Sequence, residues 1–319
     1  METIPEASRK ISVVTDGRAG NETQALALAE ALGRLRPVEI EVAAPHIASW
    51  AIALPPRVVH ALGLGAISAS WRPDGPTGLL IGAGRRAAPL VAAIGQRFEI
   101  PTVQLMHPQM SSASFSLVVA PSHDDLRGRN VISTVGALSR VTARGVTDAA
   151  ADWPQFARFP SPRLAVLVGG PSRSVEFGAR DADRLLDLLS TLSQSQTLLI
   201  TPSRRTPAEL AERLKSEFGE AHFVWNGDGQ NPYPGLLGWC DAVLVTADSV
   251  NMASEAASTG LPVHIMPLSR LSPKLARFHD DLAAHGASRE VALPLETWSY
   301  EPLAEADRVA KEITTWLGW

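Results

Sequence analysis

Apolar residues fall along the chain in two alternating rhythms: short unbroken runs, and longer stretches in which they return every three or four positions. A short run bounded by polar or glycine-rich sequence reads as a strand buried on both faces, and the longer rhythm as a helix with one apolar stripe. On this basis residues 11–15, 38–42, 79–82, 102–106 and 117–120 are strands of a first half, with helices at 23–35 and 86–98. The pattern restarts with strands at 164–168, 197–200, 243–245 and 263–266, and helices at 179–192, 207–218 and around Glu255. Such alternation predicts an α/β fold with parallel sheets. Two successive Rossmann-like units are expected, 1–155 and 156–319, joined by the Pro-rich passage 149–162. Ligands of such folds bind outside the carboxyl ends of the strands, which directs attention to the loops there.

The most informative loop runs from Thr246 to Ala256. It drives a buried strand into a helix whose first turn is polar, with Asp248 or Ser249 as N-cap. The first amides of that helix have no intrahelical acceptor, and with the helix dipole they favour an anion. Asn251 and Glu255 share the polar face, so a carboxylate stands beside whatever the helix end binds. A phosphate on the amides and a ribose diol on the carboxylate would suit a nucleotide, because an ionised carboxylate accepts from hydroxyls. The other reading is an ordinary capped helix with a solvated glutamate. Two further loops of the second half carry the same character: Gly169-Gly170-Pro171-Ser172-Arg173 and Pro202-Ser203-Arg204-Arg205-Thr206-Pro207. In the latter, Thr206, Pro207 and Glu209 are spaced as cap, first helical residue and capping box. Arg204 and Arg205 there suit a diphosphate, or are surface arginines on a turn. Asn231 and Tyr233 lie in a loop before Cys240 that reads either as a lid contacting a base or as a plain turn.

In the first half, Asp16-Gly17-Arg18-Ala19-Gly20 opens the first helix, with Asn21 and Gln24 spaced as a capping box. It is neither the Gly-x-Gly-x-x-Gly dinucleotide fingerprint nor a P-loop. Asp16, His107 and His123 are candidates for a general base, with Asp124 or Asp125 placed to orient His123. Asp181-Ala182-Asp183 has the Asp-x-Asp spacing of some metal sites, but it opens a helix and reads as charge complementing the dipole.

Composition narrows the function. A net charge of −4 gives no basic surface for nucleic acid. One cysteine, Cys240, rules out an intramolecular disulfide and a Cys-based zinc site. No bound metal and no cofactor are expected. The N-terminus lacks an apolar signal core and no run reaches membrane-span length, so a cytoplasmic protein is expected, with peripheral attachment to the inner face of the membrane left open.

Four segments together, residues 14–21 (Val-Thr-Asp-Gly-Arg-Ala-Gly-Asn), 200–207 (Ile-Thr-Pro-Ser-Arg-Arg-Thr-Pro), 231–233 (Asn-Pro-Tyr) and 246–256, resemble the mitochondrial-fission (elongated-mitochondria) family, whose members look like GT-B glycosyltransferases. The resemblance covers nearly the whole chain. It implies two facing Rossmann-like domains, the first holding an acceptor of unknown type and the second a nucleotide-sugar donor. On the GT-B pattern Glu255 binds the donor ribose, the amides after Asp248 and Ser249 hold phosphate, and Arg204 neutralises the diphosphate without metal. The last helix, near residues 305–316, is expected to pack on the first domain, as it does in GT-B proteins. A glycosyltransferase is the leading expectation. A nucleoside-diphosphate-sugar 2-epimerase and a non-catalytic scaffold of the same fold are the alternatives.

Overall fold

The computed structural model describes residues 10–44, 53–63, 73, 75–172 and 175–319, which form two compact units. The first comprises residues up to Arg140 together with Ala304–Trp319, and the second is Val141–Leu303. In chain order the first unit holds β1 (Lys10–Val14), α1 (Ala19–Leu35), β2 (Glu39–Ala43), α2 (Pro56–Leu62), β3 (Thr77–Ala83), α3 (Gly84–Phe98), β4 (Thr102–Leu105), β5 (Leu117–Pro121) and β6 (Val131–Thr134). The second opens with α4 (Ala143–Ala150), β7 (Arg163–Val168), α5 (Ala179–Leu192), β8 (Thr197–Pro202), α6 (Ala208–Phe218) and β9 (Phe223–Val224). It continues with α7 (Tyr233–Trp239), β10 (Ala242–Thr246), α8 (Val250–Ala257), β11 (Val263–Met266), α9 (Pro273–Ala284) and β12 (Ser288–Glu290). The chain closes with α10 (Glu305–Leu317), which belongs to the first unit.

Each unit is a six-stranded parallel sheet, ordered β2-β1-β3-β4-β5-β6 in the first and β12-β11-β10-β7-β8-β9 in the second. The second order is that of the dinucleotide-binding Rossmann fold, 3-2-1-4-5-6, with its reversal between β7 and β10. In the first unit the order reverses between β1 and β3. Strands at these reversals are buried along almost their whole length, as the apolar runs require: β3 and β10 are covered on both faces. The edge strand β2 instead carries Glu39 and Glu41, which blunt a free edge.

Helix α10 completes a core rather than decorating a surface. Ala306, Val309, Ala310 and Ile313 are buried against Ala25, Leu28, Ala29 and Leu32 of α1 and the face of β1 and β3. Arg34 of α1 pairs with Asp307 at 2.6 Å, and Glu305 accepts from the Val135 amide at 3.2 Å.

The division between units falls at Arg140/Val141, not at 155/156, because the Pro-rich passage is not a linker. Trp153, Phe156, Phe159 and Phe223 stack into one aromatic cluster of the second unit, with Phe156 fully buried. Trp239 donates to the Ala150 carbonyl at 2.9 Å, which ties α4 to α7. Composition suggested a connection, but three aromatic rings were the contrary signal.

Candidate functional site

Because β10, β7 and β8 are neighbours, their three carboxyl-end loops come together in the second unit. Thr246 ends β10, and four residues later α8 begins. Of the two expected caps Ser249 serves, its Oγ accepting from the Met252 amide at 3.3 Å. Asp248 is turned inward. Its side chain is fully buried and accepts from the Gly170 amide at 3.0 Å, Thr246 Oγ1 at 2.6 Å and Arg205 Nη2 at 2.6 Å. Arg205 also donates through Nη1 to the Gly170 carbonyl at 2.7 Å. Thus Asp248, Arg205 and Gly170 clasp the three loops to one another. The clasp explains both glycines: a Cβ on Gly169 would lie 2.0 Å from the Asp248 carboxylate oxygens, and one on Gly170 2.0 Å from the Arg205 carbonyl.

Thr206 does not cap α6. Its hydroxyl lies 2.9 and 2.7 Å from the Val168 and Gly169 carbonyls and accepts from the Ser203 amide at 2.9 Å, so the helix starts at Ala208 with Pro207 preceding it and no side-chain cap. Ser203 Oγ accepts from the Arg205 amide at 3.2 Å. Arg204, in contrast, is exposed and has no partner among the described residues. Ser172 makes a bridge to Val175, and Arg173 lies outside the described residues.

What this scaffold presents is a row of donors and a carboxylate. The amides of Asp248, Ser249 and Val250 have no acceptor among the described residues. One and a half turns along α8, after partly buried Asn251, comes Glu255. Its Oε2 accepts from Tyr233 Oη at 2.9 Å, while Oε1 has no partner among the described residues. Tyr233 opens α7, where its amide donates to Asn231 Oδ1 at 3.1 Å. Burial pushes the Glu255 carboxyl up, opposed by the tyrosine hydrogen bond, and burial together with the Glu255 charge holds the Tyr233 hydroxyl well above its ordinary value. Hence Tyr233 stays the donor to Oε2, and Oε1 of Glu255 is left open.

In the first unit the loops after β1, β3, β4 and β5 follow one another along the carboxyl edge. The Asp16 side chain is buried and accepts from the Arg18 amide at 3.2 Å and Asn21 Nδ2 at 3.3 Å. Asn21 therefore does not cap α1, whose N-cap is Arg18 without a side-chain bond; it lies against Gly84 across the β1/β3 reversal. Gln24 is buried and turned toward Met106 Sδ at 3.9 Å. His107 stands between Met106 and Gln109, two non-glycine residues in the left-handed region, with φ of 67° and 56°. Such strain is held only where the surroundings over-determine it. Asp124 supports this loop, accepting from the His107 amide at 3.3 Å, whereas Asp125 pairs with Arg127 on the surface. His123 is buried in a single 3-10 turn.

The family model for mitochondrial fission ELM1 matches residues 19–317. The chain belongs to that family. The mitochondrial fission protein ELM1 of Arabidopsis thaliana is 32% identical over 286 residues, covering 78% of this chain and 66% of the plant protein, so the chain spans slightly under two thirds of that relative. A Rickettsia prowazekii protein without an assigned role is 28% identical over 95% of this chain and 97% of its own length. Among solved structures, UDP-GlcNAc 2-epimerase of Methanocaldococcus jannaschii superposes with a TM-score of 0.56 at 10% identity, covering 96% of this chain and 99% of the epimerase. The Listeria monocytogenes protein described as a UDP-N-acetylglucosamine 2-epimerase gives 0.57 at 10% identity, covering 98% and 88%. The fold is accordingly α/β and GT-B-like, with two Rossmann-like halves and parallel sheets. At such identities the likeness speaks for the fold alone.

Sequence reasoning missed His279 on α9, which contacts the Ala247 carbonyl at 2.8 Å beneath the turn of free amides. Its position 32 residues downstream left no local signal. Among the described residues no three His, Cys, Asp or Glu side chains gather as a metal-binding group, and Asp181 is occupied structurally, accepting from the Ser269 amide at 2.9 Å and its hydroxyl at 2.6 Å. No described helix is long and apolar enough to cross a membrane.

Proposed function

We propose that the second unit binds a nucleoside-diphosphate-sugar and that the protein transfers its sugar to an acceptor hydroxyl. The observation that carries this reading is the Tyr233–Glu255 pair, a partly buried carboxylate with one oxygen held and the other open, one and a half turns from three free amides. A ribose diol donates to such an oxygen and a diphosphate accepts from such amides. Arg204, unpaired and exposed at the neighbouring loop, supplies mobile positive charge for the leaving diphosphate. Asp248 and Arg205 act behind it, holding the turn in shape.

In the transfer itself, a base removes the proton of the acceptor hydroxyl, the oxygen forms a bond to the anomeric carbon, and the bond to the nucleoside diphosphate breaks. Asp16, His107 and His123 are the candidates for that base. Incubation with a panel of nucleotide sugars and with glycan, lipid and small-molecule acceptors tests the reading through release of nucleoside diphosphate. Release that Glu255→Gln abolishes supports it; no release with any donor, and no donor binding, rejects it.

A second reading is a nucleoside-diphosphate-sugar 2-epimerase built on the same fold and the same donor pocket. An epimerase changes the configuration of the donor with no acceptor present and incorporates solvent deuterium at the inverted carbon. A transferase does neither.

A further inference from the structure

The Ala247 carbonyl accepts from a side chain, His279 Nε2 on α9, at 2.8 Å. A carbonyl can only accept, so Nε2 carries the hydrogen, and in the neutral ring Nδ1 does not. Nδ1 is sealed from solvent and finds no donor. Burial holds the ring below its ordinary pKa of 6.5, against the opposing influence of the Ala247 carbonyl, of Asp280 on the same helix and of Asp248 on the turn. The imidazole is therefore a neutral, oriented donor.

A trans peptide is planar, and its C=O and N–H point in opposite directions. The 247–248 bond is trans. Fastening the Ala247 carbonyl to His279 consequently turns the Asp248 N–H away from α9. That amide belongs to a residue only 7% exposed, heads the run of three donors without acceptors, and is otherwise a buried polar group left unmatched. Its Asp248 side chain is fixed from the other side by Arg205 and Gly170, so the peptide plane is clamped at both ends.

We infer that His279 is a positioning residue which aims the Asp248 amide at an anionic oxygen of a nucleoside diphosphate. The inference rests on the donor-site reading above and adds to it a residue that touches no ligand. It sets the donor's phosphate recognition apart from its ribose recognition: His279 governs the first and Glu255 the second.

The test is a binding titration of full-length protein with the uridine, guanosine and adenosine diphosphates, each beside its unphosphorylated nucleoside. His279→Leu removes the donor, and His279→Met is a second, more adaptable donor-free variant should the first not fold. His279→Gln keeps an N–H at the same reach. Expected for the donor-free variant is a loss of about tenfold in affinity for the diphosphate, the scale of one hydrogen bond to a charged group, with nucleoside affinity unchanged. His279→Gln is expected to return the diphosphate affinity to within about threefold of the starting protein. Diphosphate binding untouched by loss of the donor, or diphosphate and nucleoside weakened alike, overturns the role of His279 while leaving the donor site standing. Failure of the unaltered protein to bind any diphosphate removes the donor site and this inference with it.

Discussion

Glu255 and Tyr233 show how two ordinary residues become a recognition element once burial acts on both. The tyrosine hydrogen bond favours the ionised carboxylate, and desolvation disfavours it. Glu255→Gln is expected to weaken nucleoside binding about tenfold in a titration, because a neutral amide accepts less well than a carboxylate. Tyr233→Phe removes the interaction that favours the charged form, so the Glu255 pKa rises further. Ligand binding in that variant is then lost at a higher pH on acidification than in the unaltered protein, which a pH series of affinities reads directly. At the same scale, the sequence placed Glu255 on the polar face of its helix correctly. It did not reveal that Asp248 points inward, since an aspartate ahead of a helix matches the capping pattern whether or not a distant arginine claims its carboxylate.

Elements were legible where one physical requirement dominates. Strands β3, β7 and β10 are read from their apolar runs because a parallel strand covered on both faces tolerates little else. Polar or very short pieces were not: β9 has two residues, and β12 is Ser-Arg-Glu. Helix starts misled for a related reason. Asn21 and Gln24, and Thr206 and Glu209, have capping types at capping spacing, yet Asn21 and Thr206 answer to Asp16 and to strand-end carbonyls across the fold. The clasp of the three second-unit loops yields a stability prediction. Gly170→Ala sets a methyl against backbone that cannot swing aside, and is expected to cost about 3 kcal/mol. Asp248→Asn leaves Arg205 without its counter-charge, and is expected to cost about 2–3 kcal/mol, below the figure for a wholly buried pair because Arg205 is 38% exposed on its side chain. Denaturant titration checks both.

For the whole molecule, three histidines are held neutral by burial: His222, whose Nδ1 accepts from the Leu198 amide at 3.2 Å, His264, set edge-on to Trp298, and His279. Their folded-state pKa values lie below the unfolded 6.5, so the unfolded chain binds more protons once pH falls under that value. Stability is therefore full above about pH 6.5 and declines as pH drops through the folded-state values. His264→Leu is expected to flatten part of that decline in unfolding curves recorded from pH 7.5 to 5. The two-unit plan was legible at this scale, but the position of the division was not, since prolines at 154, 160 and 162 mark a turn-rich segment without saying whether Phe156 beside them is exposed or core.

Helix α10 adds a consequence for biosynthesis. The second unit is one uninterrupted stretch, whereas the first gains Val309, Ala310 and Ile313 of its core only from the final sixteen residues, Ala304–Trp319. On the ribosome residues 141–303 are therefore complete before the first unit, whose α1 keeps an apolar stripe bare until α10 has been made. A chain stopped after Leu303 is expected to keep a cooperative transition for the second unit and to lose protease resistance in the first, so that limited proteolysis reports whether α10 is present.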